Sequence, residues 1–437
     1  MSADVMAPLR PSPQLAARVG ALPCADQLPA SPLQAIDAVD LALCNNPQTR
    51  ELWASARAQA ALVGVARSAW LPDLDGRLAA SRVYAESGDF NQRSAALSLS
   101  WLLYDFGLRS ANVENAVQLL NAAAATQDAG VQSLFLAALQ NYYAAQAARA
   151  VVASAEKAER SARESFNAAD ARYQVGAATP ADRLQAQTAL SQATLNRIRA
   201  QGEARNTLGS LANALGFAAQ TPIVLAEPPA LPEQTAFAAD VERLIVEAQA
   251  RRPDLKAAEA QLMAAEASVD VARAQGRPSL SLVAGPSWQS VGGIESHGGN
   301  LGVTLNVPLF AGFETTYRVR SAAAQAELRA AQRDRLKNQV ALDVWRAWQS
   351  LGTATQSLAT TADLLASAEQ SERVALGRYK AGVGSVLDLL AAQSALAAAR
   401  VQRIQAVLDW NIYRATLAQA MGALDYTLLQ GAAEGRP

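Results

Sequence analysis

The sequence predicts a mixed α/β membrane protein, mainly helical, built by tandem duplication. Three observations carry that reading. One stretch is written twice: Arg172–Asp182 reads RYQVGAATPAD, and Arg378–Asp388, 206 residues on, reads RYKAGVGSVLD. Two short runs alternate apolar and polar residues with the period of a β-strand. Long alanine-rich segments without proline carry the spacing of a coiled coil.

The offset holds along the chain. Pro47 maps onto Pro253, Pro72 onto Pro278, Leu103-Tyr104 onto Leu309-Phe310, Gln187 onto Gln393 and Gly216 onto Gly422. A period this long is not that of a solenoid, so each half is a sub-domain of several elements. The expected division is a tail over 1–36, a first repeat over 37–216, a Pro-rich linker over 217–237, a second repeat over 238–422 and a tail over 423–437.

Each repeat reads helix, strand, strand, long helix, turn, helix. The first helix of repeat 1 spans about Leu33 to Ala69, kinked or broken at Pro47 and stopped by Pro72; its counterpart spans about Ala238 to Ala274, stopped by Pro278. Strands are expected over 74–84 and 94–104, and over 280–288 and 299–309. In SAALSLSWLLY, Leu97, Leu99, Trp101 and Leu103 share one face, with Ser98 and Ser100 on the other. In LGVTLNVPLF, Leu301 to Leu309 alternate against Gly302, Thr304 and Asn306. The polar stretches AESGDFNQR and SVGGIESHGG read as hairpin loops, which places the single histidine, His297, in a solvated loop. Strands of about ten residues match a tilted crossing of a bilayer. Trp70, Tyr84, Trp101, Tyr104, Trp288 and Phe310 near their ends match an interfacial aromatic girdle.

The long helices are expected over 109–174 and 315–380. Each is roughly 100 Å at 1.5 Å per residue. Val113, Val117, Leu120, Ala124, Val131, Leu134 and Ala138 form a 4-3 seam that Gln127 interrupts. Turns over 175–180 and 381–385 reverse the chain into return helices over 181–215 and 386–421, giving two αα-hairpins whose tips are the repeated motif. A return helix covers only about half the long one. Two half-length helices end to end therefore match one long helix, and the linker and both tails are expected to meet as a belt at mid-height.

Composition narrows the function. The chain of 437 residues is 51% hydrophobic but 5% aromatic, which suits closely packed helices with small side chains. A net charge of -1 gives no footing for a nucleic acid. One histidine, two cysteines and no Gly-rich phosphate loop leave no metal, nucleophile or nucleotide constellation, so neither an enzyme nor a cofactor is expected. No run of 18 apolar, uncharged residues is present, so no transmembrane helix is expected. A mean hydropathy of +0.02 would suit a soluble protein, but alternating transmembrane strands escape such averages. The Pro-rich N-terminus lacks a positive-then-apolar signal, and the reading favoured is an exported chain whose signal was removed. Cys24 and Cys44 either pair in an oxidising compartment or are unrelated thiols; ALPC, with Pro23 where a small residue is wanted, is a poor lipidation site.

Four strands cannot close a membrane barrel, and lipid tolerates no open edge. Oligomerisation follows. A dimer would give eight strands with a filled interior, whereas a trimer gives twelve, wide enough for a water-filled lumen lined by Ser98, Ser100, Thr304 and Asn306. The helices would continue it as a hollow duct.

With these features the chain resembles the TolC family of outer-membrane efflux and secretion ducts. The resemblance rests on the duplication, on RYQVG at Arg172–Gly176, on RYKAG at Arg378–Gly382 and on the Asp after each tip. Within the family it looks most like the exit ducts of type I toxin secretion. The resemblance implies a homotrimer with a twelve-stranded barrel in the outer membrane and a long periplasmic helical barrel. It also implies docking to a membrane-fusion adaptor and an inner-membrane ABC transporter. The tip turns Val175, Gly176, Ala177 and Ala381, Gly382, Val383 would seat the adaptor, with Ala381 departing from the Val-Gly pattern. Asp388, Asp182 and Tyr379 match gate positions. A second gate carboxylate is replaced by Ala391, and the Arg of the family's lock falls at Gly384, so that ring and that lock are absent.

Asp388 and Asp182 also read as carboxylates in a first helical turn, favoured by the helix dipole; a ring of three Asp388 would instead repel and attract cations. Two alternatives remain. The same duct would serve drug or metal efflux with a proton-driven pump. A periplasmic coiled-coil adaptor would carry one hairpin between β-rich domains, not two hairpins in register.

Overall fold

Proline and glycine set most helix boundaries. The computed structural model describes residues 32–84, 86, 88–228 and 240–424. The first expected helix is two: α1 (Ala35–Asn45) and α2 (Pro47–Ser68). Asn46 between them is extended, and its Oδ1 accepts from Gln48 N at 2.9 Å, which caps α2. The counterpart is also two: α5 (Val241–Arg251) and α6 (Pro253–Ala274), broken at Arg252. Proline at the first position of the second helix removes the donor that a continuous helix would need.

The strands are β1 (Asp73–Val83), β2 (Phe90–Tyr104), β3 (Ser279–Val291) and β4 (Ile294–Asn306). Long helices α3 (Leu108–Gln174) and α7 (Glu314–Lys380) follow, each of 67 residues, with return helices α4 (Pro180–Ala214) and α8 (Val386–Ala420). Both return helices end in a Schellman motif. Gly216 (φ 82°) and Gly422 (φ 66°) occupy the left-handed position, and Phe217 N and Ala423 N donate back to Ala212 O and Ala418 O.

Three expectations are corrected. SVGGIESHGG is not a loop: Gly292 (φ 56°) and Gly293 (φ 90°) form a two-residue turn, and β4 starts at Ile294. His297 is therefore a strand residue, exposed and paired with Trp288. At the other end β4 stops at Asn306, so Val307 and Leu309 lie beyond it, next to Pro308, which cannot donate to a ladder. β2 likewise begins at Phe90, inside the stretch read as a loop.

The chain divides into two compact units. One holds Leu52–Gln127 and Pro253–Lys337. Its sheet is antiparallel throughout, in the order β1-β2-β3-β4, so the repeats join at β2–β3. Register separates the two faces sharply. One carries Leu74, Leu78, Leu99, Leu282, Leu301 and Val303; the other carries Asp73, Asp75, Ser98, Ser100, Thr304 and Asn306. The apolar face is not covered in the single chain: Leu78 is 85% and Leu301 79% exposed. Beyond Trp288 and His297 this face turns polar, with Arg82, Arg93 and Glu295. Below the sheet, α6 packs on the start of α3, where Asn115 Nδ2 donates to Ala264 O (2.7 Å) and Ser268 Oγ (2.9 Å).

The strand-to-helix junction of repeat 1 is a buried ion pair. Arg109 Nε lies 3.0 Å from Asp105 Oδ2 with both side chains about 5–6% exposed. The same guanidinium donates to Leu102 O and Leu103 O and lies 4.2 Å from the Trp70 ring centroid. The equivalent positions in repeat 2 are Ala311, Thr315 and Gly276. A Cβ on Gly276 would lie 2.5 Å from Thr315 Cγ2. A large pair in one repeat is thus replaced by a small pair in the other.

The second unit holds the described parts of Pro11–Glu51, Asp128–Arg252 and Asn338–Pro437. α5 buries Leu244 and Ala248 against Val340, Val344, Ala347 and Leu351 of α7, with Leu417 of α8. Leu33 and Leu225 form a parallel bridge beside α3. Tyr142 donates to Leu33 O (3.2 Å), Gln146 to Ala226 O (3.3 Å) and Arg149 to Leu225 O (2.8 Å). Gln132 donates to Gly422 O at 3.3 Å. Whether Cys24 and Cys44 pair or are unrelated thiols was left open by the sequence, and Cys24 lies outside the described residues.

A candidate gate at the helical tips

Both long helices stop at a glycine in the left-handed region, Gly176 (φ 72°) and Gly382 (φ 79°). Ala177 N donates to Arg172 O (2.8 Å) and Val383 N to Arg378 O (3.0 Å), closing the last turns. The expected docking residues Val175, Gly176, Ala177, Ala381, Gly382 and Val383 are all exposed on these turns, Val175 by 77% and Val383 by 70%. Gly384 has a separate constraint: a Cβ there would lie 3.0 Å from Tyr379 N.

The three expected gate residues fall into different environments. Asp182 completes a capping box. Its amide donates to Thr179 Oγ1 (3.2 Å), and its Oδ2 accepts from Thr179 N (2.9 Å) and Oγ1 (2.8 Å). The Thr179 amide, then its hydroxyl, hold the Asp182 carboxyl below the usual carboxylate range. Asp388 stands at the matching position of α8, and Ser385 Oγ accepts from its amide at 3.1 Å. Its carboxylate is exposed and makes no hydrogen bond or ion pair among the described residues. Ala391, one turn on, is also exposed.

Tyr379 is buried among Ala169, Ala186, Val386 and Leu389. Arg172 of the first repeat reaches it. Its Nη2 donates to Tyr379 O at 2.6 Å, and its guanidinium carbon lies 4.3 Å from the ring centroid. Seven residues up α3, Ser165 Oγ and Gln393 Nε2 are 3.0 Å apart. Arg172 is the functional candidate that sequence reading missed; its position in the duplicated Arg-Tyr was the available signal. Lower on α3, Asp170 pairs with Arg183 of α4.

The four expected lumen residues share the polar sheet face: Ser98 faces Asp75, Ser100 faces Asp73, Thr304 faces Ser281 and Asn306 faces Ser279. Among the described residues no group of three or more His, Cys, Asp or Glu is placed to hold a metal, and no helix is long and apolar enough to cross a membrane.

Comparisons with known proteins agree with this architecture. The chain is 33% identical over 418 residues to Protein CyaE of Bordetella pertussis, covering 94% of this chain and 88% of that protein. It is 29% identical over 408 residues to Nodulation protein T of Rhizobium leguminosarum bv. trifolii, covering 89% and 82%. Its fold matches the crystal structure of CusC with a TM-score of 0.79 at 20% identity, over 92% of this chain and 99% of that one. The profile of the outer membrane efflux protein family matches twice, over residues 38–217 and 244–423. The second match begins and ends 206 residues after the first, which is the offset of the duplication. The chain belongs to the outer membrane efflux protein family.

Proposed function

We propose that the chain is the exit duct of a type I protein export system. Three copies close a twelve-stranded barrel in the outer membrane, and their helices continue it into the periplasm. The observation that carries this is the sheet: one exposed apolar face, one polar face and two unpaired edges, β1 and β4. A sheet in lipid needs every edge paired, and equal copies meeting β4 to β1 supply that. Ser98, Ser100, Thr304 and Asn306 then line the lumen, and the Leu-rich face meets lipid.

The duct is passive, and energy comes from partners at the tips. An adaptor docks on the exposed turns at Val175–Ala177 and Ala381–Val383, and an inner-membrane ABC transporter drives export. Asp388 is the gate charge, because its carboxylate is exposed and uncommitted. Asp182 contributes mainly a cap. Tyr379 is held by Arg172 in the closed tip. The resemblance to the exit ducts of type I toxin secretion favours protein cargo, and the chain is 33% identical to Protein CyaE. The family's description as efflux proteins supports a second reading, a duct for drugs or metals driven by a proton-coupled pump.

Light scattering of the detergent-extracted chain tests the assembly. A mass three times the 45.9 kDa chain is expected. A monomer stable without detergent would remove the barrel and the duct together. Loss of a secreted protein after gene deletion, with drug and metal tolerance unchanged, separates the two cargo readings.

A further inference from the structure

The tip contacts of one chain are made in one direction only. Long helix α3 of repeat 1 grips repeat 2 through Arg172–Tyr379 and Ser165–Gln393. Stepping every residue by the repeat offset gives the reverse contacts, Arg378–Tyr173 and Ser371–Gln187. Neither forms within the chain. Tyr173 is 41% exposed, and Arg378, Ser371 and Gln187 are exposed as well. Apart from Arg183 lying 5.9 Å from the Tyr173 ring centroid, their side chains make no hydrogen bond, ion pair or ring contact among the described residues.

The surface beside Arg378 already has the shape of a tyrosine site. Tyr379 sits against Ala169, Ala186 and Arg172 of repeat 1. The duplicates of those three, Ala375, Ala392 and Arg378, line one groove, and Ser371 lines it too. The groove therefore repeats the small-residue floor and the guanidinium that receive Tyr379. Its intended occupant has the chemistry of Tyr173.

We propose that Tyr173 of a second copy of this chain docks in this groove, stacking on Arg378, while Gln187 of that copy bonds Ser371. The inference rests on the trimeric duct proposed above. The donor patch and the receiving patch are different surfaces of one chain, so the contact is head to tail, and such contacts close into a ring when the rotation between copies closes, as it does in the trimer proposed above. Around a trimer, contacts within chains and between chains alternate, and all six tips are joined by one chemistry. The seam between chains differs from the seam within: Leu389 packs beside Tyr379, whereas the charged Arg183 lies beside Tyr173.

Cysteine cross-linking of the full-length protein in outer-membrane vesicles tests this. The variants are Tyr173→Cys/Arg378→Cys and Gln187→Cys/Ser371→Cys, treated with a short bifunctional thiol reagent. Both should give covalent dimers and trimers on denaturing gels. Wild type, which keeps Cys24 and Cys44, gives the background, and each single substitution should match it. Ser165→Cys/Gln393→Cys should cross-link without adding mass, because that contact is internal. If light scattering shows a trimer while neither pair gives a ladder, the inference is wrong and the duct reading stands. A monomeric mass overturns both.

Discussion

Arg172 holds Tyr379 in two ways at once, by a 2.6 Å hydrogen bond to its carbonyl oxygen and by a guanidinium 4.3 Å from its ring centroid. Arg172 stands in the last turn of the long helix of repeat 1 and Tyr379 in the last turn of that of repeat 2. The contact therefore ties the two hairpins of one chain together at their tips. A tip that opens by parting its hairpins must break it. Arg172→Ala should raise the open probability of channels in planar bilayers. A hydrogen bond to a charged group is worth about 1.5–3 kcal/mol, and the low end is about tenfold in the closed-to-open ratio. Tyr379→Phe keeps both contacts and should behave like wild type. Equal open probabilities for Arg172→Ala and wild type would remove Arg172 from the gate.

Asp388 and Asp182 occupy equivalent positions with different commitments, and substitution should separate them. Asp388→Lys should reduce or reverse cation preference, measured as the reversal potential in a salt gradient. Asp182→Asn should leave that potential unchanged and weaken the capping box, at about 0.3–1.5 kcal/mol of local helix stability. The Asp182 carboxyl is held below its ordinary range by Thr179, so its contribution is complete above that range and fades as pH falls through it. Amide exchange at the start of α4 should therefore differ between Asp182→Asn and wild type at neutral pH and converge in acid. A selectivity change from Asp182→Asn would reverse these assignments.

The junction residues Asp105 and Arg109 should prove interdependent. Arg109→Thr removes the buried carboxylate's counter-ion and leaves it only the backbone amides of residues 107 and 109. Breaking a buried pair typically costs about 3–5 kcal/mol, and those amides place the loss at the low end. Asp105→Ala/Arg109→Thr copies Ala311 and Thr315 of repeat 2, and it should recover much of that loss. Thermal unfolding of the four members of the double-mutant cycle measures the coupling. Additive losses would show that the pair does not act as a unit.

Tyr142 should resist ionisation. Burial, reinforced by Tyr143 and Asp37 and opposed by Arg149, pushes its hydroxyl up to about 12. A raised folded value means that its stabilisation is complete below the ordinary tyrosine range, about pH 10, and is lost as pH rises toward the folded value. Tyr142→Phe loses the bond to Leu33 O. It should be less stable than wild type at pH 8, with the gap narrowing above pH 10. A gap that stays constant to pH 12 would place Tyr142 in a more open setting.

Much of the architecture was legible because its signals are local. Gly176 and Gly382 mark the tips since a left-handed turn favours glycine. Alternation in SAALSLSWLLY marks β2 since only one face of that strand is apolar. The polar half of β4 was misread because backbone ladders, not apolar side chains, hold Glu295 and His297 in their strand. Arg109 was unreadable for a different reason. An Asp followed four residues later by an Arg is an ordinary surface pairing in sequence, and burial beneath Trp70 appears only once the strand and helix have packed.

By itself the sequence determined the duplication, the type of each element and the two faces of the sheet, because period and turn chemistry act over a few neighbouring residues. Tertiary structure decided which copy of each duplicated contact closes inside the chain. Arg172 and Arg378 stand in the same motif, and so do Asp182 and Asp388. With only two repeats, the contact from the first to the second is satisfied internally, while its reverse has no third repeat to meet. Packing, not motif, therefore buries Tyr379 and leaves Tyr173 exposed.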